Sequence, residues 1–516
     1  MVKSKRILLS VIILFFALFF FYEKTLVIVK DNKPKNNNPF EQVLFTGRFD
    51  FSNPSKVYFS NPGCLLEANF DGTGISASFA SDSQNPSYFL VVVDGNADPK
   101  KRTLITITED KPTSYVLVQG LPSGKHRVEL VKETEYNTQV SFYGFSVENG
   151  NLINPPEKPP LKLEFYGDSN AAGMNVFDPM DQGLDINHSG YYSFPFITAR
   201  MLNAECSNIS MSGVGMTDKP WRNLFDFYNL INMDDVHSGN NVWNFRQYTP
   251  DAVVINLSSN DYPLGATKEE IKTAWKKFVS TIRSHYPNAH IVIAESYGLD
   301  FNEPADYLAE TIEEIHLSGD SNVSYVKFPW LWGCQHATIS EHVGFANILA
   351  KHLATVLNLP QPISSTRSSF APYGTISNGS FETSTIPGFA DGWRPEGSVE
   401  LRNNGTDAKD GTSYINLYRD ASARFANSAN PGDTFTLSAW VRGNQEGDRA
   451  ILRIEFNDQG RNAIYVAERT VYPTSGWQQF TITGTAPQGT WAMWAVLVGE
   501  GENFVSFDDV KTSNVK

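Results

Sequence analysis

Four residues of this chain have the types and the order that nucleophilic acyl chemistry needs. Ser169 closes the triplet Gly167-Asp168-Ser169, which follows the apolar, strand-like run 161–166. Glycine lets a chain turn sharply where a Cβ would be strained. A serine on such a turn exposes its hydroxyl at the mouth of a sheet. The motif is not the Gly-x-Ser-x-Gly elbow, and a surface turn before a helix is the plain alternative. Ser212-Gly213-Val214-Gly215 follows a second short strand, 204–211. Backbone amides there can point at a developing oxyanion. The run 251–257 reads as a buried parallel strand. It delivers Asn260 just past its C-terminal end, where open α/β sheets place their ligands. His336 comes late, after the strand-like run 323–328, and Glu341-His342 opens a helix behind it.

A serine hydroxyl is a poor nucleophile until a base takes its proton, and the tetrahedral intermediate then needs preorganised donors. The order Ser, Gly, Asn, His, each near a strand end, resembles the SGNH (GDSL-type) hydrolases, flavodoxin-like α/β esterases. The resemblance covers 161–359. It implies Ser169 as nucleophile, His336 as general base, and an oxyanion hole from Gly213, with Gly215 as the alternative, and Asn260. The sequence departs from that family at one point. The aspartate that usually stands two or three residues before the histidine is replaced by Cys334 and Gly333. Either a backbone carbonyl orients His336, giving a dyad, or a carboxylate from elsewhere does; Glu341 and Asp261 are the candidates.

The elements around these residues form three blocks. Between 45 and 145, seven short alternating runs separated by turn residues read as an all-β sandwich. Thr46-Gly47-Arg48, Asp71-Gly72-Thr73, Val93-Asp94-Gly95 and Leu121-Pro122-Ser123-Gly124-Lys125-His126, followed by Gly167-Asp168-Ser169, resemble carbohydrate esterase family 2. That family places a small jelly roll before an SGNH domain and removes acetyl groups from xylan or mannan. The resemblance makes acetylated polysaccharide the expected partner. Trp330 and Trp332, beside His336, are candidates for a sugar-stacking wall.

Beyond a Pro/Ser-rich linker at 360–374, alternating runs argue a second β-sandwich. Its Asn378-Gly379-Ser380-Phe381-Glu382 opening, Gly392-Trp393 and closing Asp508-Asp509-Val510 resemble carbohydrate-binding modules of families 4 and 9. Such modules stack sugars on exposed aromatics, and Trp393, Tyr414, Tyr418 and Trp440 are candidates. They often hold a structural calcium, for which Glu382 and Asp508 could supply oxygens; no other cofactor is expected. The expected layout is an N-terminal segment at 1–29, a tether at 30–39, a jelly roll at 40–154, the hydrolase at 161–359, and a carbohydrate-binding sandwich at 375–516 on a flexible tether.

Composition narrows the function classes. A formal charge of −14 with no basic stripe argues against nucleic acid. The nine histidines are scattered, without metal-ligand spacing. Three cysteines cannot all pair, so no disulfide scaffold is present. Lys3-Ser4-Lys5-Arg6 followed by apolar residues 7–22 has the shape of a signal peptide or of an uncleaved membrane anchor. Both place the domains outside the cytoplasm: secreted, periplasmic or membrane-anchored. The competing readings are a catalytically weak carbohydrate-binding or adhesion protein, and an SGNH acyltransferase or lipase.

Overall fold

The computed structural model describes residues 40–233, 241–295, 307–329, 336–403, 405–458 and 462–515. Its centre is a parallel sheet of β1 (Leu161–Gly167), β2 (Ala204–Ser210), β3 (Ala252–Asn256), β4 (His290–Glu295) and β5 (Val323–Lys327). The spatial order is β2-β1-β3-β4-β5, all pairs parallel. This is the flavodoxin-like order, whose switch point lies between β1 and β3.

Alternate residues of each strand face opposite layers, so both faces must be covered. Leu163, Phe165, Val254 and Val292 pack in one core with α2 (Phe194–Leu202) and α5 (Ile339–Val356). Tyr166, Val253, Ile255 and Ile291 pack in the other with α3 (Lys268–His285) and α4 (Tyr307–Leu317). Capping boxes start two of these helices: Thr267 with Glu270 for α3, and Thr338 with Glu341 for α5. The turns that carry Ser169, Gly213 and Asn260 therefore leave β1, β2 and β3 at one end of the sheet. Among the described residues no helix is long and apolar enough to cross a membrane, and the apolar run 7–22 lies outside them.

The N-terminal domain packs two antiparallel sheets. One comprises Leu44–Thr46, Leu65–Gly72, Gly124–Lys132, Ser87–Val93 and Thr103–Ile107, with Asn151–Leu152 at its side. The other comprises Val57–Phe59, Val140–Glu148, Gly74–Ser81 and Thr113–Val118. Phe59, Phe70, Phe79, Phe89 and Phe142 are fully buried between them. Arg48 carries this domain into the central α/β domain. Its guanidinium donates to the Tyr228 and Leu230 carbonyls at 2.6 and 2.8 Å and to the Tyr166 hydroxyl at 2.9 Å.

Strands from Arg394–Arg402 to Phe504–Val515 form one antiparallel C-terminal sheet, rolled around a core that includes Leu417, Phe435, Leu452 and Phe456. The expectation of a free tether at 360–374 is not met. Asn347 on α5 binds Ser365 through both its amide nitrogen, to the carbonyl at 2.9 Å, and its amide oxygen, from the N–H at 2.8 Å. Phe370 packs edge-on against Phe345 at 5.2 Å. It lies so close that a Cβ on Gly344 would sit 2.4 Å from its ring. Burial of an aromatic ring on a helix outweighs the flexibility that Pro/Ser composition suggests.

Candidate active site

Ser169 begins α1 (Ser169–Ala172), directly after β1. Asp168 is the N-cap and accepts the Asn170 N–H at 3.0 Å. Gly173 ends the turn in the left-handed region, at φ 87°. Gly167 is required by crowding: a Cβ there would lie 2.3 Å from Ala171 Cβ. Ser169 is held at 6% exposure, at the switch point of the sheet.

Three loops are stitched around it. Ser259, after β3, donates its hydroxyl to Asp168. Asn260 Nδ2 donates to the Val214 carbonyl at 2.9 Å, leaving its second N–H for another acceptor. Asp261 takes the Met216 N–H at 3.0 Å, and the Thr217 N–H and hydroxyl at 2.8 and 2.6 Å. Gly213 sits at φ 73°, where a Cβ would come 2.3 Å from the Trp221 indole nitrogen. Gly215 lies in the short strand Val214–Gly215. Ser169, Gly213 and Asn260 thus come from three successive strand ends joined by these bonds.

His336 meets a carboxylate that the sequence reading did not name. Its Nδ1 lies 2.8 Å from Asp181 Oδ1, and its backbone N–H donates to Asp181 Oδ2 at 3.3 Å. Asn175 also donates to Asp181 Oδ1. Burial would raise the Asp181 carboxyl, but the bonds and charge of His336, with Asn175, hold it below the usual carboxylate range. This corrects the alternatives weighed above. Glu341 is occupied by Thr338 and Arg394, and Asp261 by Met216 and Thr217, so neither orients the imidazole. Among the described residues, Ser169 Oγ makes no hydrogen bond to the His336 ring. Such a bond is commonly long without substrate. Burial raises the carboxyl of Asp168, the residue before Ser169, and His336 is among the influences that oppose this.

The family model for the N-terminal domain of carbohydrate esterase 2 matches residues 45–156, and that for GDSL-like lipase/acylhydrolase matches residues 163–393. A solved family two carbohydrate esterase from Clostridium thermocellum, in complex with cellohexaose, is 31% identical with a TM-score of 0.56, covering 61% of this chain and 99% of that one. This chain belongs to carbohydrate esterase family 2. Family 2 enzymes are carboxylic ester hydrolases. The chain is also 35% identical over 307 residues to the cellulase/esterase CelE of Acetivibrio thermocellus, covering 57% of this chain and 36% of CelE. It is 26% identical over 330 residues to an acetylxylan esterase / glucomannan deacetylase of Cellvibrio japonicus, covering 58% of this chain and 86% of that protein. It therefore spans little more than a third of CelE.

Further features of this family 2 site come from outside the hydrolase domain. Glu135, in the loop after strand Gly124–Lys132, takes the Ser212 N–H at 2.6 Å and also the Ser212 hydroxyl. It thereby grips the residue before Gly213. Burial, opposed by Ser212 and the charges of His336 and Lys132, pushes its carboxyl up to about 7. Glu133 beside it accepts from Ser189 and Tyr191 and is likewise pushed up to about 7. His188 lies 4.0 Å from Glu135; burial pushes it down to about 4. His342 accepts the Phe194 N–H at 3.2 Å, and burial pushes it down to about 3, so it is a neutral core histidine.

The sugar-contact expectations fare unevenly. Trp330 and Trp332 lie outside the described residues. Trp393 does not face solvent. Its ring packs against Phe381 and Phe425, and its indole N–H caps the Asn378 carbonyl at 3.0 Å, because the interior of the sandwich needs large apolar rings. Tyr414 is buried too, edge-on to Trp477 and beneath Arg442. Tyr418 donates its hydroxyl to Glu400 at 2.6 Å, and Lys409 lies over Trp440 at 4.0 Å. Glu382 takes the Thr412 and Ser413 amides at 2.7 and 2.6 Å, and Asp508 takes those of Lys409 and Asp410 at 2.6 and 2.9 Å. Both carboxylates thus accept backbone N–H donors from the loop 409–413. No group of three His, Cys, Asp or Glu gathers for a metal among the described residues.

Asp181 was missed because it lies 155 residues from its histidine. Its only local signal is a polar Asp-Pro-Met-Asp-Gln-Gly turn at 178–183. Glu135 had a weak one, the charged run Lys132-Glu133-Thr134-Glu135 at the end of an apolar strand.

Proposed function

We propose that this chain removes O-acetyl groups from plant-type polysaccharide, acetylxylan or acetylated glucomannan, through an acyl-enzyme. The observation that carries this is the Asp181 carboxylate on His336 Nδ1. It selects the tautomer whose Nε2 is the free base, within the layout built around Ser169.

In the first half-reaction Nε2 takes the Ser169 proton while Oγ attacks the acetyl carbonyl. The oxyanion receives the amide N–H groups of Ser169 and Gly213 and the second Nδ2–H of Asn260. The C–O bond to the sugar breaks, and the imidazolium returns its proton to the leaving sugar hydroxyl. Water then attacks the acetyl-serine with His336 again as base, releasing acetate and restoring Ser169. Asp181 stabilises the imidazolium at each stage.

The substrate class draws on two relatives, one named for xylan and glucomannan and one solved with cellohexaose. A described aromatic wall supports it. Trp221 is 57% exposed beside Gly213, and Tyr136, 42% exposed, meets it edge-on at 5.2 Å. Sugar binding by the C-terminal sandwich would use its exposed rings, such as Tyr465 and Tyr472, rather than Trp393 or Tyr414. Action on an external polymer agrees with residues 1–29 as an export signal or anchor. The test is acetate release from a panel of acetylated xylan, glucomannan and cellulose by the purified chain and by Ser169→Ala. Absence of release from every polymer, or release undiminished by the substitution, overturns the reading.

A further inference from the structure

We propose that Arg394, the first residue of the C-terminal sheet, is a positioning residue for the His336–Asp181 pair. This rests on the catalytic assignment above. Arg394 opens the strand Arg394–Arg402, which pairs with Tyr414–Ser428, so it belongs to the C-terminal sheet.

Its side chain is 8% exposed and its guanidinium reaches three points of the neighbouring domain. Nη2 donates to the His336 carbonyl at 2.9 Å and to Glu341 Oε2 at 2.5 Å. Nη1 donates to the Pro179 carbonyl at 3.4 Å. The first bond holds the backbone of the base itself. Glu341 caps α5 through the Thr338 N–H at 2.7 Å, two residues beyond His336. Pro179 belongs to the turn that carries Asp181. In that turn Asp178 takes the Met180 and Gln182 amides at 3.0 and 2.7 Å.

The imidazole and its carboxylate therefore sit on two loops distant in sequence, and one buried cation from a third segment ties the loops together. A planar fork of five N–H donors suits this task, whereas a lysine ammonium is a single compact point of charge on a flexible stem. Loss of the tie lets the two loops drift, and displacements on the order of 1 Å cost about a hundredfold in rate. The C-terminal sandwich is then part of the catalytic body, not only a targeting module.

The test is a double-mutant cycle in the full chain, with kcat and KM measured on 4-nitrophenyl acetate and folding checked by circular dichroism. Arg394→Met should lower kcat about 10–100-fold with KM within about threefold, if it acts through geometry. In an Asp181→Asn background the same substitution should cost less than about threefold, because the pair it positions is already broken. An equal loss in both backgrounds, or a kcat within twofold of the parent, overturns the proposal. If Arg394→Met does not fold, Arg394→Lys carries the same cycle. Failure of both to fold shows a purely structural latch and overturns it too. Activity that survives Ser169→Ala would instead refute the catalytic assignment.

Discussion

Asp181→Asn is the sharpest test of how His336 is oriented. The substitution keeps the shape of the side chain and removes its charge. At 2.8 Å, the separation of Nδ1 and Oδ1, full charges in an effective dielectric of about 20 attract by about 6 kcal/mol. At about 1.36 kcal/mol per decade this sets an upper bound of about four decades in rate. The His336 and Asp181 side chains are 22% and 15% exposed, so water screens part of the attraction. A loss of about two to three decades in kcat is expected, with KM for 4-nitrophenyl acetate little changed. A serine triad that loses its acid charge drops by about 10⁴, which brackets the figure from above. Steady-state kinetics on the folded variant reads this directly. A kcat within tenfold of the parent would refute it and return the orienting role to a backbone carbonyl. Because His336 and Asn175 hold the Asp181 carboxyl below the usual range, its ionised form also stabilises the folded state. That stability is present above the unfolded value of about 3.9 and is lost as pH falls through the lower folded value. The variant should lack this part of the acid transition.

Three further outcomes follow from the packing. Gly167→Ala forces a Cβ to within 2.3 Å of Ala171, so it should lower the melting temperature, by about 1–3 kcal/mol of stability, and displace Ser169 enough to reduce kcat. Glu135→Gln should change the pH dependence of stability. The parent carboxyl is pushed up to about 7, so its folded state holds a proton that the unfolded chain has shed above about 4.3. Parent stability therefore falls between about pH 4.3 and 7, and melting curves should show the variant gaining on the parent as pH rises across that window; a constant difference would refute the burial effect. Trp221→Ala should raise KM on acetylated polysaccharide about fivefold, as expected for about 1 kcal/mol of ring contact, with a smaller change on 4-nitrophenyl acetate. Equal effects on both substrates would remove Trp221 from the sugar wall.

The division between local and global information follows from what each residue does. The places of Ser169, Gly213 and Asn260 past strand ends were legible because each needs only its own strand: an apolar run that must be buried, then a turn whose glycine or amide is placed by the strand before it. The two β-domains were legible for the same reason, since alternation along a strand reports which face is covered. Alternation does not report what covers it. Trp393 and Tyr414 have the composition of a sugar platform and the environment of a core, and burial against Phe381, Phe425 and Trp477 decides between them. The Pro/Ser segment 360–374 has the composition of a free tether, and the docking of Phe370 on α5 makes it part of the body.

The orientation of His336 lay furthest from the sequence. The family motif puts the acid at the positions of Gly333 and Cys334, and neither Glu341 nor Asp261, the carboxylates considered in its place, turned out to reach the imidazole. Asp181, Glu135 and Arg394 come from a loop, from the preceding domain and from the following one; packing brings the first and last to His336 and Glu135 to Ser212. The sequence by itself determined which groups could perform the chemistry and the strand ends that carry them. Only the tertiary structure decided which charges surround them, because hydrogen bonds and ion pairs act over a few ångströms in space and are indifferent to separation along the chain.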